Sequence, residues 1–132
     1  MFLKKNFHNF DKIILRKKVK PDNFISPDYF KLDDLLTEEH KLVRDTTRSW
    51  VKKNISPIIE KNAQEATFPI EILPGLSEIG AFGCFIPQKY GGGEMDYISY
   101  GLMMQELERG DSGIRSTASV QSSLVMFPIW KF

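Results

Sequence analysis

Residues 96–125 read DYISYGLMMQELERGDSGIRSTASVQSSLV, and they predict two consecutive helices separated by a short break. Asp96 is a favourable N-cap, and the residues from 97 to about 109 that follow it carry many apolar side chains. Two glycines then interrupt the helix, and either Asp111 or Ser112 can cap a second helix that continues to the end of the stretch. We therefore expect a mostly buried helix followed by one with a small, serine-rich face.

Upstream of this stretch the sequence predicts a long amphipathic helix. The helix begins after Thr37, with Glu38 and Glu39 in its first turn, where the helix dipole favours acidic groups. We expect this helix to pack one face against its neighbours. Helical spacing predicts that the buried stripe consists of Leu42, Val43, Thr46, Trp50 and Val51.

Two shorter elements and a loop complete the predicted architecture. Ser56 and Pro57 are typical of a helix start and predict a short second helix. A third element is expected from Ile70 to Ile79, with Pro74 causing a kink or a delayed start. Residues 82–93 are expected to form a buried loop or single strand followed by a glycine turn, without the spacing of a phosphate-binding loop. No repeat or strand ladder is found, and the sequence predicts an all-α bundle.

Length and charge limit the organisation of the chain. With 132 residues and 42% hydrophobic content it can form one ordinary domain, which we place at residues 26–132. Residues 1–25 are interpreted as a basic tail or linker, because the first twenty positions contain seven Lys or Arg and one acidic residue. The net charge of +1 gives no indication of nucleic-acid binding, and no apolar run is long enough to predict membrane insertion.

The basic segment and the single cysteine provide information about the cellular compartment of the protein. The segment lacks the apolar core of a secretory signal, and its Lys-rich, Ser-free composition differs from that of a mitochondrial transit peptide. We therefore expect a bacterial cytoplasm, with the mitochondrial matrix as the alternative. Cys84 is expected to be buried and reduced, because a lone cysteine cannot form an internal disulfide.

A candidate anion site lies across the break between the last two predicted helices. Arg115 can hold a carboxylate bidentately, and Ser116 and Ser119 supply hydroxyl groups near it. Glu108 can orient the guanidinium group. Without a relative for comparison, Arg115 is more simply explained as a helix-end charge, Glu108 as a solvated ion-pair partner and the serines as a closely packed helix face. The residue pattern leaves both interpretations open.

Several motifs together resemble the N-terminal helical domain of the acyl-CoA dehydrogenases. These motifs are TEEHKLVRD at 37–45, GAFG at 80–83, IPQKYGG at 86–92 and the segment 106–113. The stretch 111–126 is similar to the glutaryl-CoA dehydrogenase branch of that family. The resemblance covers about residues 26–132, and it implies the N-terminal helical domain of a longer enzyme whose β-domain and C-terminal helical bundle are absent here.

The resemblance also implies a reaction. An FAD-dependent homotetramer would convert glutaryl-CoA to crotonyl-CoA and carbon dioxide, and would pass electrons to electron-transfer flavoprotein. Arg115 would pair with the distal carboxylate of the substrate, with Ser116 as its hydroxyl partner, Glu108 in the same polar network and Ser119 lining the pocket. The catalytic glutamate and most flavin contacts are implied to lie outside this chain, so we expect the fragment alone to be inactive. No metal site is expected.

Other functions remain open at this point. The chain can derive from another acyl-CoA dehydrogenase or from a short-chain acyl-CoA oxidase, in which Arg115 would serve another acid or be incidental; an oxidase would not need an arginine at this position. It can also be a free-standing helical interaction module. Residues 124–132 are apolar and contain no helix stop signal, which predicts that the chain is truncated.

Overall fold

A computed structural model describes residues 29–132, and the predicted basic segment 1–25 lies outside the described residues. Residues Lys31–Phe132 form one compact unit. Every helix of the described residues belongs to this unit, and no strand is present among them. The predicted all-α fold class is therefore confirmed.

Six α-helices and four other helical segments make up this unit. The α-helices are α1 (Glu38–Asn54), α2 (Ile59–Glu65), α3 (Leu73–Glu78), α4 (Tyr97–Gly110), α5 (Ser112–Ser119) and α6 (Phe127–Lys131). The other segments are the 3₁₀ turns Leu32–Leu35, Ile70–Ile72 and Gln88–Tyr90 and the π-helical segment Val120–Met126. In the part of the chain that the structure describes, no helix has both the length and the apolar character needed to cross a bilayer.

Helix α1 begins as predicted, but it buries a different face. The Thr37 hydroxyl accepts the His40 N–H, and the His40 ring accepts the Thr37 N–H, which makes a reciprocal cap. The buried side chains include His40 and Thr47, whereas Leu42 and Thr46 of the predicted stripe are exposed. Both buried polar side chains form hydrogen bonds, so their burial leaves no unsatisfied group. The predicted stripe was therefore wrong at two positions.

The second helix starts later than predicted. Ser56 is not its N-cap, because α2 begins only at Ile59 and the Ser56 hydroxyl points back to the Val51 carbonyl at 3.5 Å. The intervening turn places Ile55 at the centre of the core, where its side chain is 0% exposed. The third element begins as the 3₁₀ turn 70–72, and Pro74 stands in the first turn of α3, which confirms the predicted delayed start.

Helix α4 runs through the centre of the unit and packs against both α1 and α5. Its start is less buried than predicted, because Tyr97 and Ile98 are exposed, although the Tyr97 ring contacts the Phe85 ring at a centroid distance of 5.7 Å. The central core consists of Val51, Ile55, Ile72, Leu76, Ala81, Met103, Met104, Leu107, Ile114 and Ala118. The expected burial of Cys84 is confirmed, and this burial raises the pKa of its thiol to about 11.

The last helices form one continuous run whose middle is π-helical rather than α-helical. Within this run the Ser122 hydroxyl is completely buried, donates to the Ala81 carbonyl at 2.9 Å and accepts the Gly83 N–H at 3.1 Å. It thereby ties the helix to the loop that follows α3. Residues 82–86 form the largely buried loop and residues 91–93 the glycine turn, with the exposed 3₁₀ turn Gln88–Tyr90 between them and no strand. The Gly92 backbone lies directly against the Ile86 carbonyl.

Candidate polar site at the corner between α4 and α5

The break between α4 and α5 is a sharp corner with its own cap. Helix α4 ends at Gly110, which packs so closely on α1 that an added Cβ would lie 2.7 Å from a Val51 methyl group. Asp111 is extended, and its carboxylate accepts the Ile114 N–H at 2.9 Å, so Asp111 rather than Ser112 caps α5. The corner brings the last turn of α4 beside the first turns of α5.

Three side chains of this corner form a hydrogen-bonded chain. The Arg115 Nε donates to Glu108 Oε2 at 2.6 Å, and the Ser112 hydroxyl donates to Glu108 Oε1 at 2.6 Å. Arg115 Nη1 also approaches the Ser119 hydroxyl at 3.4 Å, a long and therefore weak contact. The Arg115 side chain is 35% exposed and that of Glu108 is 44% exposed, so the cluster lies at the surface.

The electrostatics of the corner keep Glu108 charged. The Ser112 hydroxyl and then the Arg115 guanidinium hold the pKa of the Glu108 carboxyl below its usual range. Glu108 binds the guanidinium through Nε alone, and the outer edge formed by Nη1 and Nη2 meets no carboxylate among the described residues. That edge is the one that can receive a second carboxylate bidentately.

Ser116 does not join this cluster. It lies about 100° around the helix from Arg115, whereas Ser119, four residues on, shares the face of Arg115. Ser116 instead lines a cavity of about 790 Å³ that Arg115 does not line. The other lining residues are Leu73, Ser77, Phe82, Thr117, Val120, Gln121 and Met126. The four residues predicted for the site are thus divided between a polar corner (Glu108, Arg115, Ser119) and this mainly apolar cavity.

Sequence reasoning missed two polar residues. Ser112 was considered only as a cap, yet its hydroxyl bonds Glu108. Glu106 was not considered, although its side chain is only 1% exposed and both of its oxygens accept from Arg48, at 2.9 and 2.8 Å. No local pattern signalled Glu106, because its partner Arg48 lies 58 positions away in the sequence. Among the described residues no group of three potential metal ligands is present.

Comparisons with known proteins agree with this fold. The family model for the acyl-CoA dehydrogenase N-terminal domain matches residues 37–132. The mitochondrial short-chain specific acyl-CoA dehydrogenase of Bos taurus is 32% identical over 97 residues, which are 74% of this chain and 24% of that protein. The chain therefore belongs to the acyl-CoA dehydrogenase family, a family of oxidoreductases, and spans about a quarter of the length of this relative.

Solved structures of the same family are also similar. Glutaryl-CoA dehydrogenase from Mycobacterium smegmatis, in complex with FADH2, is 37% identical and has a TM-score of 0.75, over 78% of this chain and 26% of that chain. Butyryl-CoA dehydrogenase from Megasphaera elsdenii is 29% identical with a TM-score of 0.68, over 74% of this chain and 26% of that chain. Relatives of both substrate types thus share the fold.

Proposed function

We propose that this chain is the N-terminal part of an FAD-dependent acyl-CoA dehydrogenase that acts on glutaryl-CoA. The observation that carries the proposal is the Arg115 guanidinium, which Glu108 holds through Nε while the outer edge carries no carboxylate from the described residues. A diacid thioester has a carboxylate that matches this edge. A straight-chain acyl group ends in a methyl group and would gain nothing from it.

The residues of the corner would position the substrate in this proposal. Arg115 would hold the distal carboxylate, and Glu108 would keep the guanidinium oriented and balance its charge. Ser119 lies close enough to join the same network. Ser116 would act from the neighbouring cavity, beside the acyl group rather than beside the carboxylate. The similarity to a glutaryl-CoA dehydrogenase supports this substrate, and the similarity to short-chain and butyryl-CoA dehydrogenases supports the alternative of a straight-chain acyl-CoA.

The cofactor is proposed for the parent enzyme, where a bound flavin would accept a hydride. The cavity beside Ser116 does not fit the diphosphate of FAD, because none of its lining residues is basic. We therefore assign none of the residues that line this cavity to the flavin. The catalytic base, the homotetramer and electron transfer to electron-transfer flavoprotein are likewise proposed for the parent enzyme. The Mycobacterium smegmatis relative is about four times as long as the segment that it shares with this chain.

A segment exchange tests the substrate. Residues 37–132 would replace the matching segment of the Mycobacterium smegmatis enzyme, and kcat/KM would be measured with glutaryl-CoA and with butyryl-CoA. Removal of one partner of a hydrogen-bonded charge pair costs a few kcal/mol, so Arg115→Ala should lower kcat/KM for glutaryl-CoA about 100-fold. The value for butyryl-CoA should change little.

Arg109→Ala is the matched control, because it removes the same charge from an exposed position that contacts Glu106 rather than Glu108. It should leave the preference between the two substrates unchanged. If the exchanged enzyme prefers butyryl-CoA and Arg115→Ala does not alter that preference, a straight-chain substrate replaces glutaryl-CoA in the proposal.

A further inference from the structure

The hydroxyl of Ser112 has no role that the helix itself requires. The sequence allowed either Asp111 or Ser112 to cap α5, and Asp111 performs that task with its carboxylate on the Ile114 N–H. The Ser112 hydroxyl is thereby available, and it donates to Glu108 Oε1 at 2.6 Å. Ser112 is the first residue of α5, so the capped helix holds its Cβ in place.

This hydrogen bond affects how Glu108 can hold Arg115. A glutamate on a helix surface has several rotamers, and exposed ion pairs are usually mobile. With Oε1 on Ser112 and Oε2 on Arg115 Nε, both carboxylate oxygens are occupied. Turning the Glu108 carboxylate over the outer edge of the guanidinium would therefore break its hydrogen bond to Ser112. Without the hydroxyl, that bidentate arrangement becomes available to Glu108 and would compete with a ligand.

We propose that Ser112 is a positioning residue that holds Glu108 to the side of Arg115 and so keeps the outer guanidinium edge open for the carboxylate of a diacid substrate. The part of this proposal that concerns the diacid substrate rests on the proposed function. The contact itself is a property of this chain and can be tested without any substrate. Ser112 acts through Glu108 and does not touch the ligand.

The contact is tested in the full 132-residue chain. In a ¹⁵N-labelled sample, the exchange of the Arg115 Nε–H with water reports how firmly Glu108 holds that group. Ser112→Ala should accelerate this exchange about fivefold, the scale of one modest hydrogen bond, and Ser112→Thr should restore it. The Arg115 Nε–H signal is identified by its disappearance in Arg115→Lys. Ser49→Ala removes an exposed hydroxyl of α1 and is the control, which should leave the exchange rate of the Arg115 Nε–H unchanged.

The effect of Ser112 on substrate binding is tested in the segment-exchanged enzyme. Ser112→Ala should raise KM for glutaryl-CoA about fivefold while kcat, and both constants for butyryl-CoA, stay within twofold; Ser112→Thr should recover the KM. A general loss of stability would affect both substrates equally.

The outcomes separate the two proposals. Unchanged Nε–H exchange and unchanged kinetics in Ser112→Ala, together with a loss in Arg115→Ala, overturn the role of Ser112 and leave the proposed function standing. If Arg115→Ala itself leaves glutaryl-CoA turnover unchanged, the proposed function fails, and with it the consequence for the substrate. The exchange measurement then still decides whether Ser112 positions Glu108.

Discussion

The burial of the Glu106 carboxylate depends on the arginine side chains that pair with it. Its carboxylate lies between α1 and α4, is 1% exposed, and receives two hydrogen bonds from Arg48 and a longer contact of 3.5 Å from Arg109. A buried charge is tolerated only when it is paired, because desolvation otherwise costs several kcal/mol. From the sequence, Glu106 was indistinguishable from the exposed Glu108 two residues later, since its partner lies 58 positions away.

The Glu106 site predicts an asymmetry between its two arginines. Arg48→Met leaves the carboxylate buried with only the distant Arg109, and should lower the free energy of unfolding by about 3 kcal/mol. Arg109→Met removes a largely exposed side chain and should cost less than about 1 kcal/mol. Urea denaturation of both variants measures the difference. Equal losses would show that Arg48 is not the main partner of Glu106.

At the scale of elements, the sequence predicted helix caps correctly except where contacts between distant residues override the local pattern. Thr37 and Asp96 each cap the helix that follows, as predicted, because a cap involves only residues within three positions. Asp111, one of the two caps that the sequence allowed for α5, is the one the structure uses. The failure at Ser56 has a tertiary cause, since burial of Ile55 imposes a turn where the local pattern favours a helix start. The π-helical middle of the last run has no local signature that we identified; it coincides with the buried bridge made by Ser122.

Two glycines should respond in opposite ways to alanine. In the loop after α3, a Cβ at Gly92 would lie 2.0 Å from the Ile86 carbonyl oxygen, so Gly92→Ala should cost about 3 kcal/mol through displacement of backbone. Gly101 lies within α4 and has no atom within 4 Å of an added Cβ. Gly101→Ala should therefore stabilise the fold by up to about 1 kcal/mol through helix propensity.

Thermal and urea unfolding of the two single variants provide the measurement. Both substitutions add one methyl group, so their difference combines the steric cost at Gly92 with the gain in helix propensity at Gly101. A Gly92→Ala protein as stable as the parent would mean that the loop relaxes freely and does not hold the position seen beside Ile86.

At the scale of the whole molecule, a contact between distant elements joins the starts of the two longest helices. The His40 ring of α1 bonds the Asp96 carboxylate at 2.7 Å, and Asp96 also caps α4 by accepting the Ser99 N–H. The Ser99 N–H first, and the His40 ring next, lower the pKa of Asp96 to about 2. The sequence predicted the Asp96 cap but not the contact between Asp96 and His40.

This pair predicts a dependence of stability on acidity. The folded pKa of Asp96 lies below its ordinary value of 3.8, so its contribution to stability is complete above about pH 4 and is lost as the pH falls towards 2. Asp96→Asn keeps a good capping side chain but cannot titrate. The difference in free energy of unfolding between the parent and Asp96→Asn should therefore shrink between pH 5 and pH 2.

Urea unfolding at several pH values measures this difference. Asp34→Asn is the control, because Asp34 is exposed and its side chain forms no hydrogen bond among the described residues. It removes one carboxylate without removing a helix cap. A difference for Asp96→Asn that changes between pH 5 and pH 2 no more than the difference for Asp34→Asn would contradict the role of Asp96 in acid stability.

The sequence alone determined the all-α class, the helix caps at Thr37 and Asp96 and the family, because caps and apolar periodicity act over a few residues and motifs are read directly. It also singled out Arg115 and Glu108. The tertiary structure decided which face of α1 is buried, that Glu106 is a buried charge, and that Ser116 faces a cavity while Ser112 supports Glu108. These outcomes depend on side chains from separate helices meeting, and the free energy of such contacts is set by burial and pairing that no local pattern contains.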